Sequence, residues 1–110
     1  MAHSILVLGA GRMGFGAVFD LVRQPDVERV TVADAVAERA HHVAAAPGSD
    51  KVVPVHLDVA DEAAVVDLMR GHASAISCVN YWYNEKLARA AIAAGTNFCD
   101  LGGNNTVVDA

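Results

Sequence analysis

The sequence predicts an α/β domain built on a doubly wound parallel sheet, and three observations point to this class. The 110 residues suffice for one small hydrophobic core but not for two. Short runs rich in β-branched residues alternate with longer alanine-rich stretches, which is the pattern of repeated strand-helix units. A turn with the spacing Gly-x-Gly-x-x-Gly directly follows the first of these runs. Together they predict five parallel strands in the order 3-2-1-4-5, with helices on both faces.

The first half of the chain supplies three strands and two helices. Residues 4–8 form an apolar run that ends at a glycine, and residues 13–22 carry apolar side chains at helical spacing. The alternating residues 27–33 predict a second strand, and residues 35–45 predict a second helix. A proline and a glycine that closely follow residue 45 end this helix. Residues 51–57 then predict the third strand.

The second half repeats the pattern with clearer helix boundaries. Asp61 is suited to cap a helix, and the apolar residues 75–79 predict a fourth strand that is buried on both faces. Asn84 is suited to cap the next helix, which Gly95 ends as a left-handed C-cap residue. A fifth strand is predicted at 97–101.

The glycine-rich turn gives each of its glycines a separate task. Gly9 permits a tight turn, Gly11 lets a pyrophosphate approach the backbone, and Gly14 lets the helix pack closely on the strand. The amide groups near Arg12 and Met13 lie at the positive end of the helix and are expected to bind phosphate oxygens. The motif therefore predicts a dinucleotide-binding Rossmann fold, the alternative being a turn that only joins strand to helix.

An acidic residue at the expected distance supports the dinucleotide interpretation. Asp34 ends the second strand twenty residues after Gly14, where a carboxylate accepts hydrogen bonds from ribose hydroxyls and repels a 2′-phosphate. The expected cofactor is therefore NAD rather than NADP. Asp34 could instead, or in addition, cap the following helix, and Arg39 could reach a 2′-phosphate or lie on a solvated helix face.

Two further pairs of residues follow strands at the edge where a dinucleotide binds. Asp58 and Val59 follow the third strand, near the expected position of the adenine ring. Val79 and Asn80 end the fourth strand, beside the crevice where the strand order reverses. We predict cofactor contacts for all four, although a carboxylate in such a turn can also cap the chain with no ligand.

Composition and spacing argue against several other classes of protein. A net charge of −5 disfavours a nucleic-acid partner, and no apolar run has the length of a membrane span. The five histidines lack metal-ligand spacing, so no metal site is expected. Cys78 and Cys99 do not form a CxxC pair, which favours buried thiols in a reducing cytoplasm. Lys86 has Trp82 four residues earlier, where short-chain dehydrogenases need a tyrosine.

Three segments carry a resemblance to a known family. Residues 7–14 (VLGAGRMG), 77–84 (SCVNYWYN) and 94–105 (AGTNFCDLGGNN) resemble the N-terminal NAD(P)-binding domain of the saccharopine dehydrogenase family. Within the family, the third segment is most similar to the L-lysine 6-dehydrogenases. The family usually has proline where this chain has Asn80, a difference that concerns substrate identity more than cofactor binding.

The resemblance implies an NAD-dependent oxidoreductase that oxidises an amino-acid C–N bond by hydride transfer, through an imine that water hydrolyses. Lysine is the favoured substrate, with a saccharopine or carboxynorspermidine dehydrogenase as the alternative and a ligand-sensing regulatory Rossmann module as an alternative of another class. We expect residues 1–110 to be an N-terminal, cytoplasmic dinucleotide-binding domain, inactive by itself, from an enzyme that forms homo-oligomers. The sixth strand, the substrate domain and all catalytic residues are expected outside these 110 residues.

Overall fold

The computed structural model describes residues 3–79 and 83–100 and contains one parallel five-stranded sheet in the order β3-β2-β1-β4-β5. This confirms the predicted Rossmann-like class and strand order. The strands are β1 His3–Leu8, β2 Val27–Asp34, β3 Val52–His56, β4 Ser74–Ser77 and β5 Asn97–Asp100. The helices are α1 Arg12–Leu21, α2 Ala37–Ala45, α3 Glu62–Arg70 and α4 Asn84–Ala94.

The sheet separates two hydrophobic cores because successive side chains of a strand point to opposite faces. In β1, Ile5 and Val7 face α1 and α2, whereas Leu6 and Leu8 face α3 and α4. All four are buried, so β1 is apolar on both faces, as expected of a central parallel strand. The helices on the two faces hold the carboxyl ends of β2, β1 and β4 side by side at one edge.

The fourth strand ends two residues earlier in the structure than the sequence predicts. It was expected at 75–79, but β4 ends at Ser77. Cys78 still donates its amide to the Leu8 carbonyl, at 2.7 Å. The chain of β1 then turns away at Gly9, whose φ is +104°. Val79 therefore lies in the loop after β4, where β1 no longer runs beside it.

Of the two polar helix caps that the sequence predicts, Asp61 and Asn84, only the first is found. Asp61 caps α3 as predicted, since its side chain accepts a hydrogen bond from the Ala64 amide. Asn84 does not cap α4: it is the first helical residue, and its Oδ1 accepts a 2.6 Å hydrogen bond from the Ser77 hydroxyl. The cap position of α2 is Val36 rather than Asp34, and that helix begins at Ala37 instead of residue 35.

His72, in the loop between α3 and β4, has a structural role that the sequence did not indicate. Its ring is half-buried and bridges α3 to β2, with Nδ1 at 2.8 Å from the Leu68 carbonyl and Nε2 at 2.7 Å from Thr31 Oγ1. A carbonyl can only accept, so Nδ1 carries the proton and, in the neutral ring, Nε2 accepts from the hydroxyl. His72 thus fastens the amino edge of the sheet, opposite the glycine-rich turn.

Candidate cofactor site

The glycine-rich turn lies where β1 ends between β2 and β4. The Gly9 amide donates to the Ala33 carbonyl of β2 at 2.7 Å. A Cβ on Gly9 would lie 2.9 Å from the Cys78 carbonyl oxygen, and the φ of +104° disfavours any other residue. The geometry agrees with the tight-turn role predicted for Gly9, at the point where the order of strands reverses.

Gly14 provides the close contact between α1 and the turn. It is buried, and a Cβ built on it would overlap the Gly9 carbonyl oxygen and lie 2.9 Å from the Gly9 carbonyl carbon. Any side chain at this position would therefore push the helix away from the strand. This agrees with the packing role predicted for Gly14.

Gly11 occupies the N-cap position of α1 and borders open space. Its φ of −82° and ψ of −159° are accessible to any residue. Apart from its two chain neighbours, no described residue has a heavy atom within 4 Å of the place where a Cβ would stand. Among the described residues, the amides of 11–14 have no hydrogen-bond acceptor. Because these amides lie at the positive end of a helix, the space beside Gly11 suits an anionic group.

Arg12 and Met13 contribute to this edge mainly through their backbone. Both side chains are exposed, Met13 by 42%. Arg12 forms no salt bridge within residues 3–79 and 83–100, and the same holds for Arg39 on α2. Their amide groups remain the predicted phosphate ligands.

The Asp34 carboxylate joins the end of β2 to the glycine-rich turn. Its Oδ2 accepts a 2.8 Å hydrogen bond from the Ala10 amide, and its Oδ1 accepts a 2.8 Å bond from the Val36 amide. A carboxylate oxygen can accept more than one hydrogen bond, so both oxygens keep capacity for ribose hydroxyls. The structure thus brings Asp34 into direct contact with the turn, while its contact with a ribose stays a prediction.

Asp58 and Val59 lie next to this edge but have local structural contacts. The Leu57 amide donates to the Asp34 carbonyl at 2.9 Å, which holds the start of the loop against β2. Asp58 is exposed and its Oδ1 accepts from the Ala60 amide at 2.9 Å, the local turn that the sequence left open as an alternative. Val59 is half-buried against the core on the α3 side. Adenine contacts by these residues stay a prediction.

Val79 lies beside the turn, whereas Asn80 falls outside the described residues. One Val79 methyl carbon stands 3.0 Å from the position of a Cβ on Gly9, so the loop after β4 closes directly on the turn. Asn80 and the distinctive segment at 101–105 cannot be assigned a place at the site from the described part of the chain.

A cavity beside the turn was not expected from the sequence. It measures about 360 Å³ and opens between the first turn of α1 and the last turn of α2. Phe15 was expected on the buried face of α1, but it is 37% exposed and packs on Phe19 with ring centroids 4.8 Å apart. The cavity is lined by Ala10, Gly11, Arg12, Phe15, His42 and Val43.

The described residues contain neither a cluster of metal ligands nor a membrane-spanning helix. Within 3–79 and 83–100, no three His, Cys, Asp or Glu side chains converge on a point where a metal ion could bind. No helix in this part of the chain has the length and apolar character needed to cross a membrane.

Comparison with protein-family models and solved structures places the turn and sheet in a known context. The model of the family described as "Saccharopine dehydrogenase NADP binding domain" matches residues 5–109. The apo saccharopine dehydrogenase (L-Glu forming) of Saccharomyces cerevisiae is 26% identical, with a TM-score of 0.79 over 90% of this chain. The chain spans only 21% of that enzyme.

Two more distant structures share the fold and are solved with a cofactor. Quinate dehydrogenase from Corynebacterium glutamicum, in complex with NAD, is 22% identical with a TM-score of 0.61 and matches 97% of this chain and 46% of its own. A short-chain dehydrogenase/reductase of wide type from Veillonella parvula, in complex with NADP, is 10% identical with a TM-score of 0.68 and matches 91% and 47%. At these identities the likeness concerns the fold alone.

Proposed function

Because this chain belongs to the family of saccharopine dehydrogenase NADP-binding domains, we propose that it binds NAD as part of an oxidoreductase acting on the C–N bond of an amino acid. When bound, NAD supplies the acceptor for the hydride that leaves the carbon bearing the amine. The residues of this chain hold the dinucleotide, and those that react with the substrate lie elsewhere in the enzyme.

The hydrogen bond between Asp34 and the Ala10 amide carries this proposal. It brings a carboxylate, the candidate ligand of a ribose, to the amides of 11–14, the candidate ligands of a pyrophosphate. Gly11 lies at those amides, and the described side chains leave the position of a Cβ on it uncovered, which supports placing the pyrophosphate there. A diphosphate and a ribose are adjacent in the adenosine half of a dinucleotide, which matches this arrangement.

The acceptor we propose is NAD rather than NADP, because the Asp34 carboxylate would lie against a 2′-phosphate of the same charge. Arg12 and Arg39 are the nearby cations that argue for NADP, which the description of the family also names. The two hydrogen bonds that Asp34 accepts argue against NADP. They hold the carboxylate in place, so a 2′-phosphate could not simply displace the carboxylate.

We expect isothermal titration to show tighter binding of NADH than of NADPH, and Asp34→Ala to narrow the difference between the two affinities. Loss of the carboxylate removes a hydrogen-bond acceptor for NADH, which weakens NADH binding, and removes a charge that repels NADPH, which strengthens NADPH binding. Both changes lower the ratio of the NADH affinity to the NADPH affinity. Asp67→Ala removes an equal charge from the exposed face of α3 and should leave the ratio unchanged. Equal affinities in the unaltered protein would contradict the proposed preference.

Among the possible amino acids, we propose lysine, oxidised at its side-chain amine as in L-lysine 6-dehydrogenases. The support is the similarity of residues 94–105 to those enzymes. The structural likeness to a yeast saccharopine dehydrogenase favours saccharopine as the second candidate substrate, and carboxynorspermidine is a third. Asn80 stands where the family usually has proline, so the chain gains a backbone N–H there, and this is the departure from the family pattern that bears most on the choice of substrate.

The 110-residue protein by itself should bind NADH but should not reduce NAD in the presence of lysine. Its length corresponds to about a fifth of the yeast saccharopine dehydrogenase that it matches, and we place the substrate-binding groups in the remainder. Absorbance of NADH, followed with lysine and with saccharopine at high protein concentration, tests this. Sustained turnover would show that the catalytic residues lie within these 110 positions.

A further inference from the structure

We infer that Asp34 is also a positioning residue, which holds the glycine-rich turn in its anion-binding conformation independently of any contact with a ribose. The inference rests on the proposed function and adds a second role to the same carboxylate. It predicts that the loss of Asp34 weakens ligands that have a diphosphate but lack the hydroxyls that Asp34 would bind.

The order of hydrogen bonds along the turn points to this role. The Gly9 amide is bound to the Ala33 carbonyl and the Ala10 amide to Asp34 Oδ2, both from β2. The next four amides, those of 11–14, have no acceptor among the described residues. Asp34 therefore supplies the last tether before the amides that face the candidate anion site.

The carboxylate is itself held in a fixed orientation. Its Oδ1 accepts from the Val36 amide while Oδ2 accepts from Ala10, so rotation of the side chain would break two charge-assisted hydrogen bonds. An asparagine has a single oxygen, and its amide group would face one of these two N–H donors. Asp34→Asn therefore preserves the shape of the side chain but breaks one of the two tethers.

Two nucleotides separate the positioning role from ribose binding. ADP offers both a diphosphate and ribose hydroxyls, whereas 2′,3′-dideoxy-ADP lacks the hydroxyls. We expect Asp34→Asn to raise the Kd of both nucleotides, and to raise the Kd of 2′,3′-dideoxy-ADP by about fivefold or more. NMR titration measures both Kd values. Removal of a negative charge would by itself strengthen the binding of a diphosphate, so weaker binding cannot come from charge. Asp67→Asn makes the same charge change on α3 and should leave both Kd values unaltered.

Amide hydrogen exchange tests the tether in the unaltered protein without any ligand. The Ala10 amide should exchange more slowly than the Gly11 and Arg12 amides, and Asp34→Asn should remove that protection while amides of the central strand β1 stay protected.

Three outcomes are decisive. Weaker dideoxy-ADP binding together with loss of Ala10 protection supports the positioning role. An Asp34→Asn protein that binds ADP more weakly but dideoxy-ADP as before, or an Ala10 amide that exchanges as fast as its neighbours, overturns it and leaves the proposed function standing. If the unaltered protein binds neither nucleotide, the proposed function is wrong and the positioning role falls with it.

Discussion

Gly14→Ala should lower the free energy of unfolding by about 3 kcal/mol, the upper part of the range for overpacking a buried site. The added methyl group would overlap the Gly9 carbonyl oxygen, which is backbone and cannot rotate away as a side chain could. Relief requires α1 to move from β1, and that movement would disturb the core around Val18 and Val7. Thermal unfolding followed by circular dichroism should show a midpoint at least about 10 °C lower.

Gly16→Ala is the matched control because it makes the same chemical change two residues later in the same helix. Gly16 is exposed, and outside its own helix backbone and its two neighbours no described residue has a heavy atom within 4 Å of a Cβ placed on it. Alanine should therefore stabilise the helix by about 0.5–1 kcal/mol through its greater helix propensity. Similar midpoints for the two variants would mean that Gly14 does not hold α1 against the turn.

The fold was largely predictable because its signals are local. A buried parallel strand is apolar on both faces and therefore forms a short continuous apolar run. A helix instead repeats its apolar residues every three to four positions, so the two kinds of element can be told apart in the sequence. Gly95 could be assigned as a helix end because only glycine readily adopts its φ of +72°. The strand order followed from the position of the glycine-rich turn, which marks the strand at which the order reverses.

The errors lie where a neighbouring element decides the outcome. The end of β4 depends on where β1 turns away, and nothing in residues 75–79 reveals that point. Asn84 had the chemistry of a helix cap, but a buried serine on β4 provides a donor for its side chain instead. The bridge made by His72 was missed because its partner Thr31 is 41 positions away in the sequence.

Sequence spacing indicated which candidate residues lie near each other but not which contacts they make. Spacing between the glycines and Asp34 indicated that they meet at one edge, and the structure places them there. The Ala10 amide was missed as a functional group because alanine carries no chemical signal, and the tether depends on the rotamer of Asp34. The cavity was missed because helical spacing alone put Phe15 on the buried face of α1, while α2 leaves that ring partly uncovered.

Gly11→Ala should weaken NADH binding by about tenfold or more, which corresponds to about 1.4 kcal/mol, while the protein stays folded. The methyl group would extend into the open space at the N-terminus of α1, where we place the pyrophosphate. The backbone does not oppose the change, because φ is −82° at this residue. Loss of a glycine N-cap should cost at most about 1 kcal/mol of stability, so affinity should fall far more than the melting temperature.

Gly71→Ala provides the comparison for binding, since Gly71 follows α3 near the amino edge of the sheet and has a φ of −83° that alanine can adopt. Its affinity for NADH should equal that of the unaltered protein. Titration and melting curves on the two variants separate a local steric effect at the phosphates from a general effect of losing a glycine. A folded Gly11→Ala protein with unchanged NADH affinity would place the pyrophosphate away from this turn, because an alanine methyl and a phosphate cannot occupy the same space beside the first amides of α1.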